Sequence, residues 1–420
     1  MAKGSITIDG WLSLLICSLV MNAQVHGDTL APVTILDSAI PKGAVCLDGS
    51  APAYSYAEGS GDGADSWIVY LQGGGWCYNL TDCYSRSRTY LGSSHFIASQ
   101  TNFSALLDLN CTSNPDFCNW HKVYITYCDG SSFMSDILDS KTNLSFRGAR
   151  IFNVMMEEML AKGMRNAKQA ILTGSSAGGL ATMLHCDKFR KLFSNATRVK
   201  CISDSGFFLH GKGLRGIQFR EYFYGYVIKT HELANSLPLT CTSKRNPNLC
   251  LFPEYFAGDI ETPLFILESA FDQFQVGSVL GSHSHNCTSN LMSCNSTELG
   301  LMRDFRRTLI ETLVELKNSS NRGMFVHSCY LHPHFDSHGW WASISLANKT
   351  IEKAIGDWYY DRSSVREVDT QNDSPRNCTN SLSPKSLNKK SLATLPHNRF
   401  SFIFFFFFLL VYPHVQVFLG

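Results

Sequence analysis

The hexapeptide Gly174-Ser175-Ser176-Ala177-Gly178-Gly179 joins a strand-like run, Ala170 to Thr173, to a helical stretch, Leu180 to Phe193. No other segment constrains the fold as much. A strand that turns sharply into a helix needs small residues, so that the backbone can bend and neighbouring strands can approach. The spacing Gly174-x-Ser176-x-Gly178 thrusts the Ser176 hydroxyl up at a helix N-terminus, where backbone N–H groups favour a developing anion. Ser175 is the wrong serine by spacing and is expected to face the turn's interior or cap it. A plain Gly/Ser turn is the alternative, and the strand before and helix after weigh against it.

Further short apolar runs read as buried strands of a parallel sheet: Trp67 to Leu71, Val123 to Tyr127, Lys200 to Ser203, Leu264 to Leu267 and Met324 to His327. Helical patterns fall between them. Ile151, Val154, Met155 and Met159 share one face, with Gly163 as a C-terminal cap. Leu301, Phe305, Leu309, Leu313 and Leu316 make a second stripe. Strands alternating with helices imply an α/β fold, α/β-hydrolase-like, with a mostly parallel sheet covered by helices.

The chain has 420 residues, 44% of them hydrophobic, enough for a large core. Its 36 basic and 35 acidic residues nearly cancel, which argues against nucleic acid as a general partner. Of 15 cysteines, Cys17 lies in an N-terminal apolar stretch, and removing that stretch leaves 14. None has C-x-x-C spacing. The close pairs Cys77/Cys83, Cys111/Cys118, Cys241/Cys250 and Cys287/Cys294 suit disulfides closing small loops, not a metal site. Residues 1–27 read as a signal peptide: Lys3, then apolar Trp11 to Met21, then small Ala23 and Gly27. Asn-x-Ser/Thr acceptors begin at ten positions, from Asn79 to Asn377. Together these imply a secreted, disulfide-stapled glycoprotein. Residues 28–365 are expected to form one catalytic domain and 366–420 a low-complexity tail. The tail ends in the apolar run Ile403 to Leu410, for which three readings stay open: a removable lipid-anchor signal, a poor membrane span, or an aberrant C-terminus, the last preferred.

Gln72-Gly73-Gly74-Gly75-Trp76-Cys77 follows the Trp67 to Leu71 strand, and a glycine loop there can turn N–H groups toward an oxyanion. Cys77 is expected to staple it, and Trp76 either to wall a pocket or to pack. Candidate bases are His327, His332, His334 and His338. His327 falls within a strand, His332 just past its end. Asp204 and Asp272 both follow strand-like runs and are the candidate acids. If successive strands extend outward from the nucleophile, Asp272 comes nearer the histidine loop, and Asp204 braces the pocket or elbow by hydrogen bonds.

Five motifs occur in order with Gly356-Asp357-Trp358-Tyr359. They are Gly73-Gly74-Gly75-Trp76-Cys77, Gly174 to Gly179, Asp204-Ser205-Gly206-Phe207-Phe208, Ala270-Phe271-Asp272 and Ser328-Cys329-Tyr330-Leu331-His332. In combination the chain resembles the plant pectin acetylesterases, a family that also includes the animal Wnt lipid-removing hydrolase Notum. The resemblance spans roughly Pro32 to Asp361. It implies Ser176 as nucleophile, His332 as base and Asp272 as orienting acid, with an oxyanion hole at Gly74, Gly75 and Ala177. It implies a serine esterase acting on acetylated pectin in the cell wall, with no metal or organic cofactor and no stable protein partner. Pro333-His334-Phe335 stands where many relatives carry a cysteine-containing segment, which leaves the partner of Cys329 and the last disulfide open. Two other functions stand beside this one: deacylation of a lipid or protein ester, and a non-catalytic wall-binding role.

Overall fold

The computed structural model describes residues 29–139, 142–316, 322–335 and 338–378. The expected signal peptide and apolar C-terminus lie outside them. The strands are β1 (Thr29–Ile35), β2 (Ala53–Ala57), β3 (Ser66–Leu71), β4 (Gln100–Phe103), β5 (His121–Ile125), β6 (Ile137–Asp139) and β7 (Leu144–Phe146). They continue with β8 (Gln169–Ser175), β9 (Arg198–Asp204), β10 (Leu264–Ser269), β11 (Arg322–His327), β12 (Ser345–Leu346), β13 (Lys349–Thr350) and β14 (Arg366–Val368). Ten of them form one sheet in the order β14-β11-β10-β9-β8-β3-β5-β2-β1-β4. From β14 to β5 all pairings are parallel, and from β5 to β4 they are antiparallel.

Strands β3, β8, β9, β10 and β11 are buried almost end to end because both faces of the sheet are covered there. Ala170 and Leu172 of β8, with Leu264 and Ile266 of β10, join the core on one face; Ile171, Phe265 and Leu267 join it on the other. On the first face lie helices α1 (Gly148–Ala161), α2 (Ala177–Arg190), α3 (Ile217–Thr230), α4 (Gln273–Leu280) and α5 (Ser296–Glu315), with α6 (Ile351–Tyr359) on the second. Gly163 follows the end of α1 with φ +118°, a left-handed turn that favours glycine. Asn295 and Glu298 make a capping box at the start of α5.

Two strand-scale differences from the sequence reading have physical causes. The run expected over Val123 to Tyr127 is a strand only over His121–Ile125. The Tyr127 N–H has left the ladder and donates to Gln72 Oε1 at 2.9 Å. The antiparallel edge, β1, β2 and β4, carries no continuous apolar run, since β1 and β4 have much of their surface exposed.

Seven disulfides staple the fold. The four close pairs bond as their spacing suggests, and Cys46–Cys128, Cys186–Cys201 and Cys329–Cys378 complete the set. Cys378 is thus the partner of Cys329, and β14 pairs with β11. The sheet therefore runs on past residue 365, where the sequence reading placed the domain boundary.

Candidate active site

The parallel strands all end on one side of the sheet, and the candidate residues leave from those ends. The glycine loop follows β3, Ser176 follows β8, Asp204 closes β9, Asp272 stands three residues after β10, and His332 five after β11. Ser176 has φ +59° and ψ −124°, a left-handed conformation rare for a residue with a side chain. Strain of this kind costs on the order of 1–3 kcal/mol and persists only where the surroundings enforce it. Here they do: a Cβ on Gly178 would lie 2.0 Å from the Leu71 carbonyl oxygen, so only glycine lets α2 start against β3.

Ser176 Oγ lies 2.8 Å from His332 Nε2, and His332 Nδ1 lies 2.6 Å from Asp272 Oδ2. The second Asp272 oxygen accepts the Gln275 N–H at 2.8 Å and caps α4. Asp272 is fully buried, while His332 and Ser176 keep some exposure. The structure thus brings these three residues together. It places His327 in β11 and His334 in the interior, both fully buried and away from the serine hydroxyl. His338 begins a short helix, His338–Ser343. Asp204 points to His334 instead of His332, and Ser175 donates to Asp204.

Gly74 and Gly75 have φ +143° and +66°, conformations that turn successive N–H groups as glycine allows. Ala177 is the first residue of α2, where a helix leaves its N–H groups without intrahelical acceptors. Tyr127 and Ser132 hold this loop, and sequence reasoning gave neither a role. The Tyr127 hydroxyl donates to the Gly75 carbonyl at 2.9 Å and accepts the Ser132 N–H at 2.9 Å. Ser132 Oγ donates to the Ala177 carbonyl and accepts the Trp76 indole N–H, each at 2.8 Å. Burial pushes the Tyr127 phenol up, so it stays protonated and able to donate. Trp76 packs edge-on against Phe208, 4.9 Å between centroids, and against Phe223 and Tyr224. Phe274 stacks on the His332 ring at 5.5 Å, with its own side chain 42% exposed.

A mostly parallel α/β sheet with Ser, His and Asp converging at its C-terminal strand ends defines an α/β-hydrolase fold. The structure of the Wnt deacylase Notum from Drosophila shares that fold, with a TM-score of 0.71 and 22% identity, covering 84% of this chain and 99% of that one. The chain belongs to the pectinacetylesterase family, whose model matches residues 25–379. Pectin acetylesterases 11 and 7 of Arabidopsis thaliana are each 41% identical to it over 371 residues, covering 86% of this chain and 94% of theirs. The palmitoleoyl-protein carboxylesterase NOTUM of Schmidtea mediterranea is 25% identical over 330 residues, 74% of this chain and 60% of that protein. The chain is a carboxylic ester hydrolase.

Proposed function

We propose that the protein is a secreted serine esterase that removes acetyl groups from cell-wall pectin. The observation that carries the proposal is the unbroken hydrogen-bond line Ser176–His332–Asp272 at the strained turn beside the glycine loop. Asp272 holds the proton of neutral His332 on Nδ1, leaving Nε2 to accept from Ser176. Ser176 Oγ bonds to the acetyl carbonyl carbon as its proton passes to Nε2. The N–H groups of Gly74, Gly75 and Ala177 hold the oxyanion. The carbon–oxygen bond to the sugar then breaks, and the sugar oxygen takes the proton from His332. Water, deprotonated by the same nitrogen, adds to the acetyl-serine and releases acetate, restoring Ser176.

Trp76, Phe208 and Tyr224 are buried against one another, and the Phe208 ring lies 6.2 Å from the His332 ring, so aromatic rings wall the side of the base. The pectin acetylesterases to which the chain is 41% identical support pectin as the carrier. Secretion is supported by the seven disulfides and by the sequon density. Among the described residues no helix is long and apolar enough to cross a membrane.

The test is acetate release from acetylated pectin, xylan and glucomannan beside cleavage of long-chain acyl esters, with Ser176→Ala as control. The expected result is release from pectin above the other polymers, abolished in the variant. Preference for long-chain esters would move the assignment to lipid or protein deacylation. Equal release by Ser176→Ala would remove the serine mechanism.

A further inference from the structure

A second grouping of serine, histidine and aspartate lies directly behind the first. Asp204, the last residue of β9, is completely buried, and its carboxylate is surrounded by donors. It accepts the backbone N–H of His334, at 3.1 and 3.2 Å to its two oxygens, and that of Phe335 at 3.0 Å. It also accepts from the Ser175 hydroxyl, from Ser205 at 3.1 Å, and from His334 Nδ1. Its own carbonyl accepts the Ser176 N–H at 2.8 Å. One residue therefore grips both the backbone of Ser176 and the loop two residues beyond His332.

The line continues outward from His334. Its Nε2 lies 2.6 Å from His327 Nε2, and His327 Nδ1 accepts the Cys329 N–H at 3.0 Å. Those contacts dictate the tautomers. Because Nδ1 of His327 accepts, the proton of its neutral ring is on Nε2 and donates to His334. Nε2 of His334 therefore accepts, and its own proton is on Nδ1, aimed at Asp204. Any other assignment sets two N–H groups or two lone pairs against each other in a dry interior. Burial holds the His327 imidazole well below its ordinary value, which suits a neutral ring. Burial pushes the Asp204 carboxyl up, but His334 and the donors around it more than reverse this and keep it ionised.

We propose that Asp204, His334 and His327 form a buried hydrogen-bond relay that positions His332 against Ser176. The relay touches no substrate: Ser175, Ser205, His334 and Asp204 are sealed from solvent, so an ester cannot reach them. Its three members come from β9, β11 and the loop after β11, and Ser175 joins it to β8. The fixed tautomers leave the loop one hydrogen-bonded register. A misplacement of about 1 Å at a catalytic base costs on the order of 100-fold in rate. The proposal rests on Ser176 and His332 being the reacting pair, and the experiment separates the two claims.

The experiment measures kcat and KM on a small soluble acetyl ester, normalised to active sites titrated with a fluorophosphonate that labels Ser176. His334→Ala is expected to lower kcat per titrated site about 10- to 100-fold with KM within about twofold. His334→Asn, whose amide N–H can replace Nδ1–H toward Asp204, is expected to recover most of that loss. If His334→Ala is not secreted, His327→Met and His327→Gln serve instead, since Gln keeps the donor and Met removes it at similar volume. A kcat within about twofold of the parent in the donor-less variant, or no recovery in its amide counterpart, overturns the relay. Failure of the fluorophosphonate to label the parent protein would instead overturn the serine mechanism.

Discussion

Ser176–His332–Asp272 and Ser175–Asp204–His334 use the same three residue types, with adjacent serines, histidines two residues apart, and aspartates at the ends of the neighbouring strands β10 and β9. They differ in backbone and access. Ser176 is held at φ +59° with its hydroxyl toward a histidine that keeps some exposure, while Ser175 ends β8 with its hydroxyl spent on Asp204. Asp272 gives one oxygen to an imidazole and one to a helix cap, whereas Asp204 is saturated by backbone and side-chain donors. Residue identity alone therefore does not make a nucleophile. Reach to solvent, a strained turn that exposes the hydroxyl, and nearby N–H groups free for an oxyanion do.

The largest test of that difference is the pair of serines. Ser176→Ala is expected to lose on the order of 10⁶-fold in turnover, measured as acetate release. Ser175→Ala, in the same assay, is expected to stay within roughly tenfold of the parent. Comparable losses in the two would erase the distinction between the sites.

The acids come next. Asp272→Asn should fold and still label slowly with a fluorophosphonate, but lose on the order of 10⁴-fold in turnover, because the amide stabilises the wrong histidine tautomer. Asp204→Asn should show itself first in stability, by about 3 kcal/mol in denaturant unfolding, since it sets an amide NH2 against buried N–H and O–H groups that the carboxylate accepted. The reverse pattern, a stable inactive Asp204 variant and an active Asp272 variant, would exchange the two roles.

Smaller effects sharpen the picture of how the glycine loop after β3 is held. Tyr127→Phe removes the donor to Gly75 and the acceptor of Ser132. Its kcat is expected to fall roughly tenfold with KM unchanged. An unchanged kcat would show that the glycines keep their places without it.

The smallest effect concerns Glu268, on the strand beside Asp204. Its Oε2 accepts the Phe207 N–H at 3.2 Å, and its Oε1 is buried without a hydrogen-bond partner. Burial, then the Asp272 charge, raises its carboxyl well above the usual value, so it is protonated in the fold. In the unfolded chain it ionises above about pH 4.3. Unfolding therefore releases a proton at neutral pH, and Glu268 subtracts stability as pH rises from its unfolded value toward its folded one. Glu268→Gln is expected to raise Tm at pH 7 by about 1–3 °C, with the gain vanishing near pH 4. A gain that persists at pH 4 would mean the carboxyl is not the titrating group.

Much of this was legible in the chain. The six inner parallel strands announced themselves because burial on both faces favours short apolar runs, whereas β14, half-exposed at the edge, did not; the elbow did because its turn tolerates little but glycine around Ser176. The antiparallel edge was hidden because a half-exposed strand needs no such run. Tyr127 and Ser132 were hidden because their hydrogen bonds join segments far apart in sequence, and neither residue type at those positions carries a spacing signal.

Cysteine spacing pointed to four of the seven disulfides, since a loop of six to nine residues brings two thiols together by itself. The other three bridge separations of 15, 49 and 82 residues, which only the folded chain closes. In the same way, local sequence determined which side chains stand at strand ends, because strand, turn and helix are short-range choices. Which histidine faces Ser176, and which aspartate faces that histidine, was decided by the order and stagger of β8, β9, β10 and β11. Hydrogen bonds of under 3 Å between residues 60 and 156 positions apart exist only once those strands are side by side.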